Sequence, residues 1–337
     1  MIRGSYLDMD NGFSLNAYAK INLVLDVTGI RDDGYHMVRM IMQTIGIHDT
    51  LTFRKGRGSG IRLTMNADDL PAGHDNLIIK GIEAVLRSSG RKIKTDDISL
   101  DIDLEKRIPI AAGMAGGSTD AAAAMYAVNK IEDIGLTNAQ LRAAAVSVGA
   151  DVPYCLMGGT VLAEGIGEIL TPLHDIEGIC IAVAKPAESV STKHVYEMLD
   201  STMDISHPDV DGALGIIGDC AWTKQKAAGK DAVYDRNGTG AIDIGEKSAE
   251  ALAQYMGNVL EYVTIPEHKD IADIKNVMES CGAVKALMSG SGPSVFGIFK
   301  GKDDAETACD EIRSRGLADS TFVTETIGRG KGETIYA

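Results

Sequence analysis

The sequence has little of what metal centres and disulfide frameworks need. Its cysteines are odd in number, widely scattered and never in a C-x-x-C pair; they are Cys155, Cys180, Cys220, Cys281 and Cys309. The seven histidines show no H-x-x-x-H spacing. These absences disfavour a zinc site and a disulfide-stabilised secreted fold. We therefore expect a protein of the reducing cytoplasm.

Long apolar runs and positive charge are also scarce. No segment approaches the roughly 18–20 consecutive apolar residues of a transmembrane helix. Asp8, Asp10 and Asn11 interrupt any signal-peptide core near the N-terminus. With 33 Lys and Arg against 48 Asp and Glu, the formal net charge is −15. This charge disfavours nucleic acid and anionic membranes as partners, although backbone N–H groups can still hold a small phosphate compound.

The apolar pattern changes period along the first half of the chain. Apolar and polar residues alternate at 61–66 and 98–105, which predicts strands with one buried face, as in an antiparallel sheet. From Ser118 an Ala-rich stretch predicts a buried helix. Apolar residues at i, i+3, i+4 and i+7 from Leu141 to Val148 predict a second helix.

The length and element order indicate two domains of the α+β class. A chain of 337 residues suggests two domains, with one large domain as the alternative, and its 45% hydrophobic residues are enough for a real core. Short apolar runs return at 179–184 and 294–299, with helical stretches between and after them. We predict an N-terminal domain at 1–165 and a C-terminal domain at 166–337. The second contains a polar, Gly-rich insertion around 223–247.

The most informative stretch is PIAAGMAGGSTDAA, Pro109 to Ala122. Its glycines permit positive φ and leave no Cβ in the way, so successive N–H groups can face one anion. The helix that follows adds free N–H donors and a partial positive charge. The stretch is neither a Walker A loop nor a G-x-G-x-x-G motif. On these residues alone, a phosphate-binding loop and a plain turn capped by Ser118 or Thr119 are equally open.

A second glycine cluster is MSGSGPSVFG, Met288 to Gly297, between a predicted helix and a predicted strand. Such dipeptides most often make a tight turn. The cluster could instead close over the same phosphates as the first loop.

Four motifs in order along nearly the whole chain resemble the GHMP kinases, a family that includes galactokinase, homoserine kinase and mevalonate kinase. They are AYAKINLVLDVTGIRDDGYH (17–36), PIAAGMAGGSTDAA (109–122), GADVPYCLMGGTVLAEGIGE (149–168) and MSGSGPSVFG (288–297). The third motif is most similar to members that act on a cytidine-diphosphate-linked methylerythritol in the non-mevalonate isoprenoid pathway.

The resemblance implies an activity and a fold. The activity is transfer of phosphate from ATP, accompanied by Mg²⁺, to the 2-hydroxyl of that substrate, in a monomer or homodimer. The fold pairs an N-terminal domain like the second domain of ribosomal protein S5 with a ferredoxin-like C-terminal domain. Another small-molecule kinase of the family, for homoserine or phosphomevalonate, is the alternative. A third possibility is a ligand sensor built on the same scaffold.

The resemblance also implies roles for residues. Asp151 matches the catalytic acid and Lys20 the lysine that stabilises it, which suits phosphoryl transfer. Substrate contacts are implied for Asn22, Tyr35, His36, Thr192 and Tyr196. An adenine pocket is implied at Asn76, Leu77, Ile78 and Lys106, and further nucleotide contacts at Pro109, Ile110, Ala111, Ala112, Gly113, Met114, Ala115, Gly116, Gly117, Ser118, Thr119, Gly290, Ser291 and Gly292. No cluster of carboxylate residues in the sequence indicates which side chains bind magnesium. Ser118 is a candidate magnesium ligand. Alanines replace possible glycines in the loop, and alanine adopts positive φ only at a cost.

The insertion contains a partial calcium-loop pattern, DRNGTGAIDIGE, from Asp235 to Glu246. Asp235, Asn237 and Glu246 stand at ligand positions and Gly240 at the sharp turn, whereas Thr239 departs from the pattern. An acidic, turn-rich surface segment is the default interpretation.

Overall fold

The computed structural model describes residues 12–67, 69–202, 205–227, 242–243, 246–329 and 335–336. The strands within these ranges are β1 Phe13–Ile30, β2 His36–Lys55, β3 Gly60–Met65, β4 Ser99–Glu105, β5 Thr160–Glu164, β6 Ile169–Pro172, β7 Ile176–Glu177, β8 Cys180–Lys185, β9 Ile242–Asp243, β10 Gly257–Asn258, β11 Lys285–Met288, β12 Val295–Phe299 and β13 Ser320–Glu325. The candidate calcium ligands Asp235, Asn237 and Thr239 lie outside the described residues.

The helices of the same ranges are α1 Leu77–Ser88, α2 Gly116–Ile131, α3 Asn138–Ala145, α4 Val152–Met157, α5 Thr192–Leu199, α6 Val210–Ala227, α7 Glu246–Ala253, α8 Glu261–Glu267, α9 Lys269–Ser280 and α10 Lys302–Ser314, with a 3₁₀ turn at Thr95–Asp97. None of the helices described here is long and apolar enough to cross a membrane.

The first sheet has the order β10-β1-β2-β4-β3, with β5 on β2 and β6 on β5. Two of its strands, β6 and β10, follow residue 165 in the chain, so this sheet draws on both predicted domains. The strands predicted at 61–66 and 98–105 correspond to β3 and β4. They pair in parallel, and the antiparallel expectation was wrong for this pair, because α1 connects them as a crossover.

The second sheet is antiparallel, in the order β11-β12-β8-β13. Along the chain β8 leads through helices to the β11–β12 hairpin, and α10 then leads to β13. This βαββαβ order is the ferredoxin-like arrangement that the sequence predicted. The apolar runs at 179–184 and 294–299 form β8 and β12, its two central strands.

Two predicted helices differ from the observed ones at their ends. The Ala-rich helix α2 begins at Gly116, two residues before Ser118, because Ala115 adopts a left-handed conformation just before it. The helix predicted to reach Val148 ends at Ala145, where a turn follows and the Val148 N–H donates to the Ala145 carbonyl. The helical spacing of apolar residues extends beyond the end of α3 because Val148, in the turn, still packs against the core.

Helix α2 is buried along most of its length. Its alanines, from Ala121 to Ala124, are fully buried between α1, α4 and β1. A Cβ on Gly81 of α1 would lie 3.1 Å from the Ala121 carbonyl oxygen, so small residues on both helices allow a close crossing. This packing fixes the N-terminus of α2, and with it the glycine-rich loop.

Candidate active site

Lys20 and Asn22 leave β1 on the same face of the sheet. They alternate with the buried Ala19, Ile21 and Leu23, and a register shift between Tyr18 and Lys20 precedes them. The Lys20 ammonium is almost fully buried and donates to the Asn22 side-chain oxygen at 2.7 Å. A lysine placed so deeply needs anionic or polar partners.

Asp151 supplies the opposite charge. It stands at the N-terminus of α4, where its side chain makes no capping hydrogen bond and is 32% exposed. Its Oδ2 lies 3.9 Å from Lys20 Nζ. The carboxylate is therefore held beside an ammonium and remains open to a ligand. A simple capping role for Asp151 does not describe this geometry.

The glycine-rich loop contains a run of left-handed residues. Ala111, Gly113 and Ala115 have φ of 53°, 71° and 60°. Ala111 and Ala115 thus adopt positive φ, although alanine does so only at a cost in free energy. The surrounding packing must offset that cost. The run ends at α2, whose first N–H groups have no helical partners. These donors and the helix dipole favour an anion at this point.

The second glycine cluster lies directly against the first loop. Ser289 Oγ donates to the Gly113 carbonyl at 3.0 Å. The side-chain amide of Asn258 donates to the Gly290 carbonyl at 2.8 Å, which fixes the other side of the cluster. A Cβ on Gly290 would lie 3.7 Å from Lys20 Nζ. The two loops and the buried lysine therefore meet at one place.

A cavity of about 650 Å³ opens where these groups meet. The predicted site residues along its wall are Lys20, Asn22, Tyr35, His36, Gly113, Ala115, Ser118, Asp151, Thr192, Tyr196, Gly290 and Ser291. The structure thus brings together the predicted catalytic pair, the predicted substrate residues and parts of both loops.

Aromatic side chains form one end of the cavity. His36 and Tyr196 pack with their ring centroids 4.8 Å apart, and Tyr35 is 61% exposed. Burial raises the pKa of the Tyr196 hydroxyl to about 12, with the negative charge of Asp151 as a second cause. The hydroxyl therefore stays protonated near neutral pH. Thr192 and Ser291 share a hydrogen bond of 2.8 Å between their hydroxyls, which ties α5 to the second glycine cluster.

The predicted adenine residues, Asn76, Leu77, Ile78 and Lys106, do not line this cavity. Asn76 caps α1 by accepting from the Ile78 N–H, and Ile78 is buried in the core. Leu77 and Lys106 approach the first turn of α2, where Cβ atoms built on Gly117 and Gly116 would lie 3.3 and 3.2 Å from them. The remaining predicted loop residues, Pro109, Ile110, Ala111, Ala112, Met114, Gly116, Gly117, Thr119 and Gly292, do not line the cavity.

Two carboxylates around Lys106 were missed by the sequence analysis. The Lys106 ammonium donates to Asp49 of β2 and to Asp120 of α2, and all three side chains are buried. Burial raises the pKa of Asp120 to about 8; Lys106 opposes this shift and the Asp49 charge adds to it. Burial alone would lower the pKa of Lys106, but the two carboxylates outweigh it and the pKa is raised. Asp49 carries no local sequence signal. A helix predicted to begin at Ser118 would place Asp120 in its first turn as an ordinary acid, whereas α2 begins at Gly116 and Asp120 is its fifth residue.

Metal binding has little support from side chains alone. Within the described ranges no group of three or more His, Cys, Asp or Glu side chains could hold a metal ion. Magnesium is usually bound by one or two protein oxygens together with substrate phosphates. Ser118 and Asp151, both on the cavity wall, are compatible with that kind of site.

Comparison with known proteins identifies the family. A model described as "GHMP kinases N terminal domain" matches residues 76–159, and one described as "GHMP kinases C terminal" matches 241–318. A 4-diphosphocytidyl-2-C-methyl-D-erythritol kinase of Lachnospira eligens is 44% identical over 313 residues, or 93% of this chain and 97% of that protein. The chain belongs to the GHMP kinase family. GHMP kinases use ATP as the phosphate donor.

Further relatives and solved structures support membership of the same family. A protein of the same name from Acetivibrio thermocellus is 42% identical over 93% of this chain and 99% of its own length. A crystal structure of 4-(cytidine 5'-diphospho)-2C-methyl-D-erythritol kinase superposes with a TM-score of 0.71 at 26% identity, over 94% of this chain and 100% of that one. A homoserine kinase from Cytophaga hutchinsonii, at 16% identity and a TM-score of 0.64, shares the fold over 97% of this chain and 98% of its own. The predicted family and the predicted α+β fold are confirmed.

Proposed function

We propose that this GHMP kinase transfers a phosphoryl group from ATP to the 2-hydroxyl of 4-diphosphocytidyl-2-C-methyl-D-erythritol. The observation that carries the proposal is the shared cavity, in which the Lys20–Asp151 pair and the aromatic end formed by Tyr35, His36 and Tyr196 lie together. The names of the relatives at 42–44% identity support the same substrate.

The placement of Lys20 and Asp151 supports the catalytic roles that we propose for them. The Asp151 carboxylate is open to the cavity, so it can orient the substrate hydroxyl and accept its proton. The Lys20 ammonium keeps a positive charge beside that carboxylate and beside the second glycine cluster. Phosphoryl transfer depends mainly on such positioning and charge stabilisation.

The two glycine loops are proposed to hold the phosphates of ATP. Gly113 and Ala115, both on the cavity wall, have positive φ, and the free N–H groups at the start of α2 follow directly after them. Together they can provide anion-binding donors next to the cavity. Mg²⁺ is proposed to accompany ATP, with the Ser118 hydroxyl as a ligand candidate. When bound, the ion would neutralise phosphate charge.

An aromatic end suits a substrate that contains a base. Stacking on an aromatic face stabilises a bound base by about 1–3 kcal/mol. Homoserine and phosphomevalonate contain no base, so neither could stack on the aromatic side chains at this end of the cavity.

The cytoplasmic location and the monomeric or homodimeric state stay predictions.

An ADP-release assay with three acceptors tests the proposal. We expect turnover with the cytidyl substrate and none with homoserine or phosphomevalonate. Asp151→Asn should lower kcat by about 10²–10⁴-fold while ATP affinity is retained, because the amide cannot accept a proton. The control Asp133→Asn changes a carboxylate outside the cavity, at a φ of 47° that asparagine tolerates. Turnover of another acceptor in place of the cytidyl substrate would refute the function, and an Asp151→Asn enzyme with normal kcat would refute the role.

A further inference from the structure

A hydrogen bond between His36 and Asp200, next to the aromatic end of the cavity, was not expected from the sequence. His36 is the first residue of β2, and Asp200 follows the last residue of α5, 164 positions later. His36 Nε2 and Asp200 Oδ1 are 2.7 Å apart. The His36 side chain lines the cavity, whereas Asp200 does not. Asp200 can therefore act on a ligand through the His36 ring.

The same turn of helix places the neighbouring aromatic ring. The backbone N–H of Asp200 donates to the Tyr196 carbonyl, and the Tyr196 ring packs on His36. His36 is thus held at Nε2 by a carboxylate and packs against an aromatic ring that is tilted from it by 41°. A ring constrained in this way keeps one orientation toward the cavity.

The partner of Nε2 determines what the ring offers at Nδ1. An ionised carboxylate only accepts hydrogen bonds, so Nε2 must carry a proton to pair with Asp200. In the neutral imidazole the other nitrogen, Nδ1, is then an acceptor. Among the described residues, no hydrogen bond of Nδ1 to another side chain or to the backbone accompanies the Asp200 contact.

An acceptor at this place distinguishes the two pyrimidine bases. Cytosine carries an amino group at position 4, which donates, and uracil carries a carbonyl oxygen there, which accepts. An Nδ1 lone pair would bind the cytosine amino group and would repel the uracil oxygen. We propose that Asp200 is a specificity-determining positioning residue, which fixes His36 as a hydrogen-bond acceptor and thereby selects cytidine over uridine diphosphate substrates. This inference rests on the proposed function.

The test compares the cytidyl substrate with its uridyl counterpart in the full-length enzyme. Leaving one polar group unpaired at a partly buried site corresponds to about a five- to hundredfold loss. We expect Asp200→Ala to reduce the cytidyl-over-uridyl ratio of kcat/KM by that amount. The change should lie in KM, with kcat on the cytidyl substrate within about twofold of normal, because Asp200 pairs with His36 while Lys20 and Asp151 pair with each other. Asp200→Glu should restore part of the ratio.

Nitrogen-15 NMR of the histidine rings gives a readout independent of activity. We expect His36 in the wild-type enzyme to carry its proton on Nε2, and to lose that fixed tautomer in Asp200→Ala. The control Asp310→Asn removes an exposed carboxylate paired with Arg313 on α10, and should change neither the ratio nor the tautomer.

The outcomes separate the two proposals. Cytidyl turnover with an unchanged base preference in Asp200→Ala, or a wild-type His36 protonated on Nδ1 alone, overturns the role of Asp200 and leaves the proposed function standing. Turnover of a substrate without a base, and of neither pyrimidine compound, overturns the proposed function and with it the base selection.

Discussion

At the scale of single residues, the most unusual feature is the buried group of Lys106, Asp49 and Asp120. Two carboxylates share one ammonium, and Asp120 Oδ1 has no hydrogen-bond partner in the described structure. One negative charge is enough to balance Lys106, so burial favours the protonated form of the second carboxyl. This is the physical reason why the pKa of Asp120 rises to about 8.

The raised pKa predicts a pH dependence of stability. Because the pKa of Asp120 increases from 3.8 to about 8 on folding, the native state binds an extra proton between these values. The stability from this group is complete below pH 3.8 and is lost as the pH rises through about 8. Asp120→Asn has no such proton. Its free energy of unfolding relative to wild type should therefore increase with pH, by up to about 1.4 kcal/mol per pH unit.

Urea denaturation of both proteins at pH 5, 6, 7 and 8 measures this difference. Asp310→Asn, at an exposed carboxylate on α10, provides the control and should follow the wild-type profile. Parallel profiles for Asp120→Asn and wild type would contradict the assignment.

At the scale of elements, the contact between the two glycine loops organises the site. Gly113 has a φ of 71°, and a Cβ there would lie 2.2 Å from the Ser289 carbonyl oxygen and 2.9 Å from that of Gly292. Both neighbours are backbone atoms, so they cannot move aside as a side chain could. Only glycine lets the first loop approach the second this closely.

Gly113→Ala should therefore separate the loops. We expect a loss of about 2–4 kcal/mol in the free energy of unfolding, from backbone strain and overpacking together, and a higher KM for ATP. Gly135→Ala is a matched control, because Gly135 has a φ of 80° and no atom within 4 Å of the added Cβ. It should cost about 1 kcal/mol, the backbone strain alone, and leave KM unchanged. Equal effects of the two substitutions would show that the loop contact is unimportant.

At the scale of the whole molecule, the chain after β13 returns to the first sheet. The Ile327 N–H donates to the Thr44 carbonyl of β2. The buried Arg329 guanidinium pairs with Asp175 at 3.2 Å, and Asp175 also accepts from the Thr160 and Arg329 backbone N–H groups. Together with β10 on the edge of the first sheet, these contacts join the second half of the chain to the first.

Asp175→Ala tests this connection. It leaves Arg329 buried without its partner, so we expect a loss of about 3–5 kcal/mol in the free energy of unfolding. Asp101→Ala, which removes the partner of the exposed Arg62, should cost less than about 1 kcal/mol. Calorimetry should show one transition at a lower Tm for Asp175→Ala. Similar Tm values for the two variants would mean that the Arg329 pair does not join the two parts.

Prediction succeeded where function depends on short segments. The small residues of 109–122 and 288–297 predicted the glycine loops, and alternation predicted β3 and β4 because side chains in a strand alternate between its faces. It failed for the parallel direction of that pair and for the end of α3. Both are decided by tertiary packing, which local patterns do not encode.

The sequence by itself determined the family, through four motifs in a fixed order, and the identities of Lys20 and Asp151 as the predicted catalytic pair. Only the tertiary structure decided which carboxylates pair with the predicted site residues Lys106 and His36. Asp49 reaches Lys106 across 57 positions and Asp200 reaches His36 across 164. Such pairs leave no periodic trace in the sequence, because their partners meet only after the sheets and helices pack.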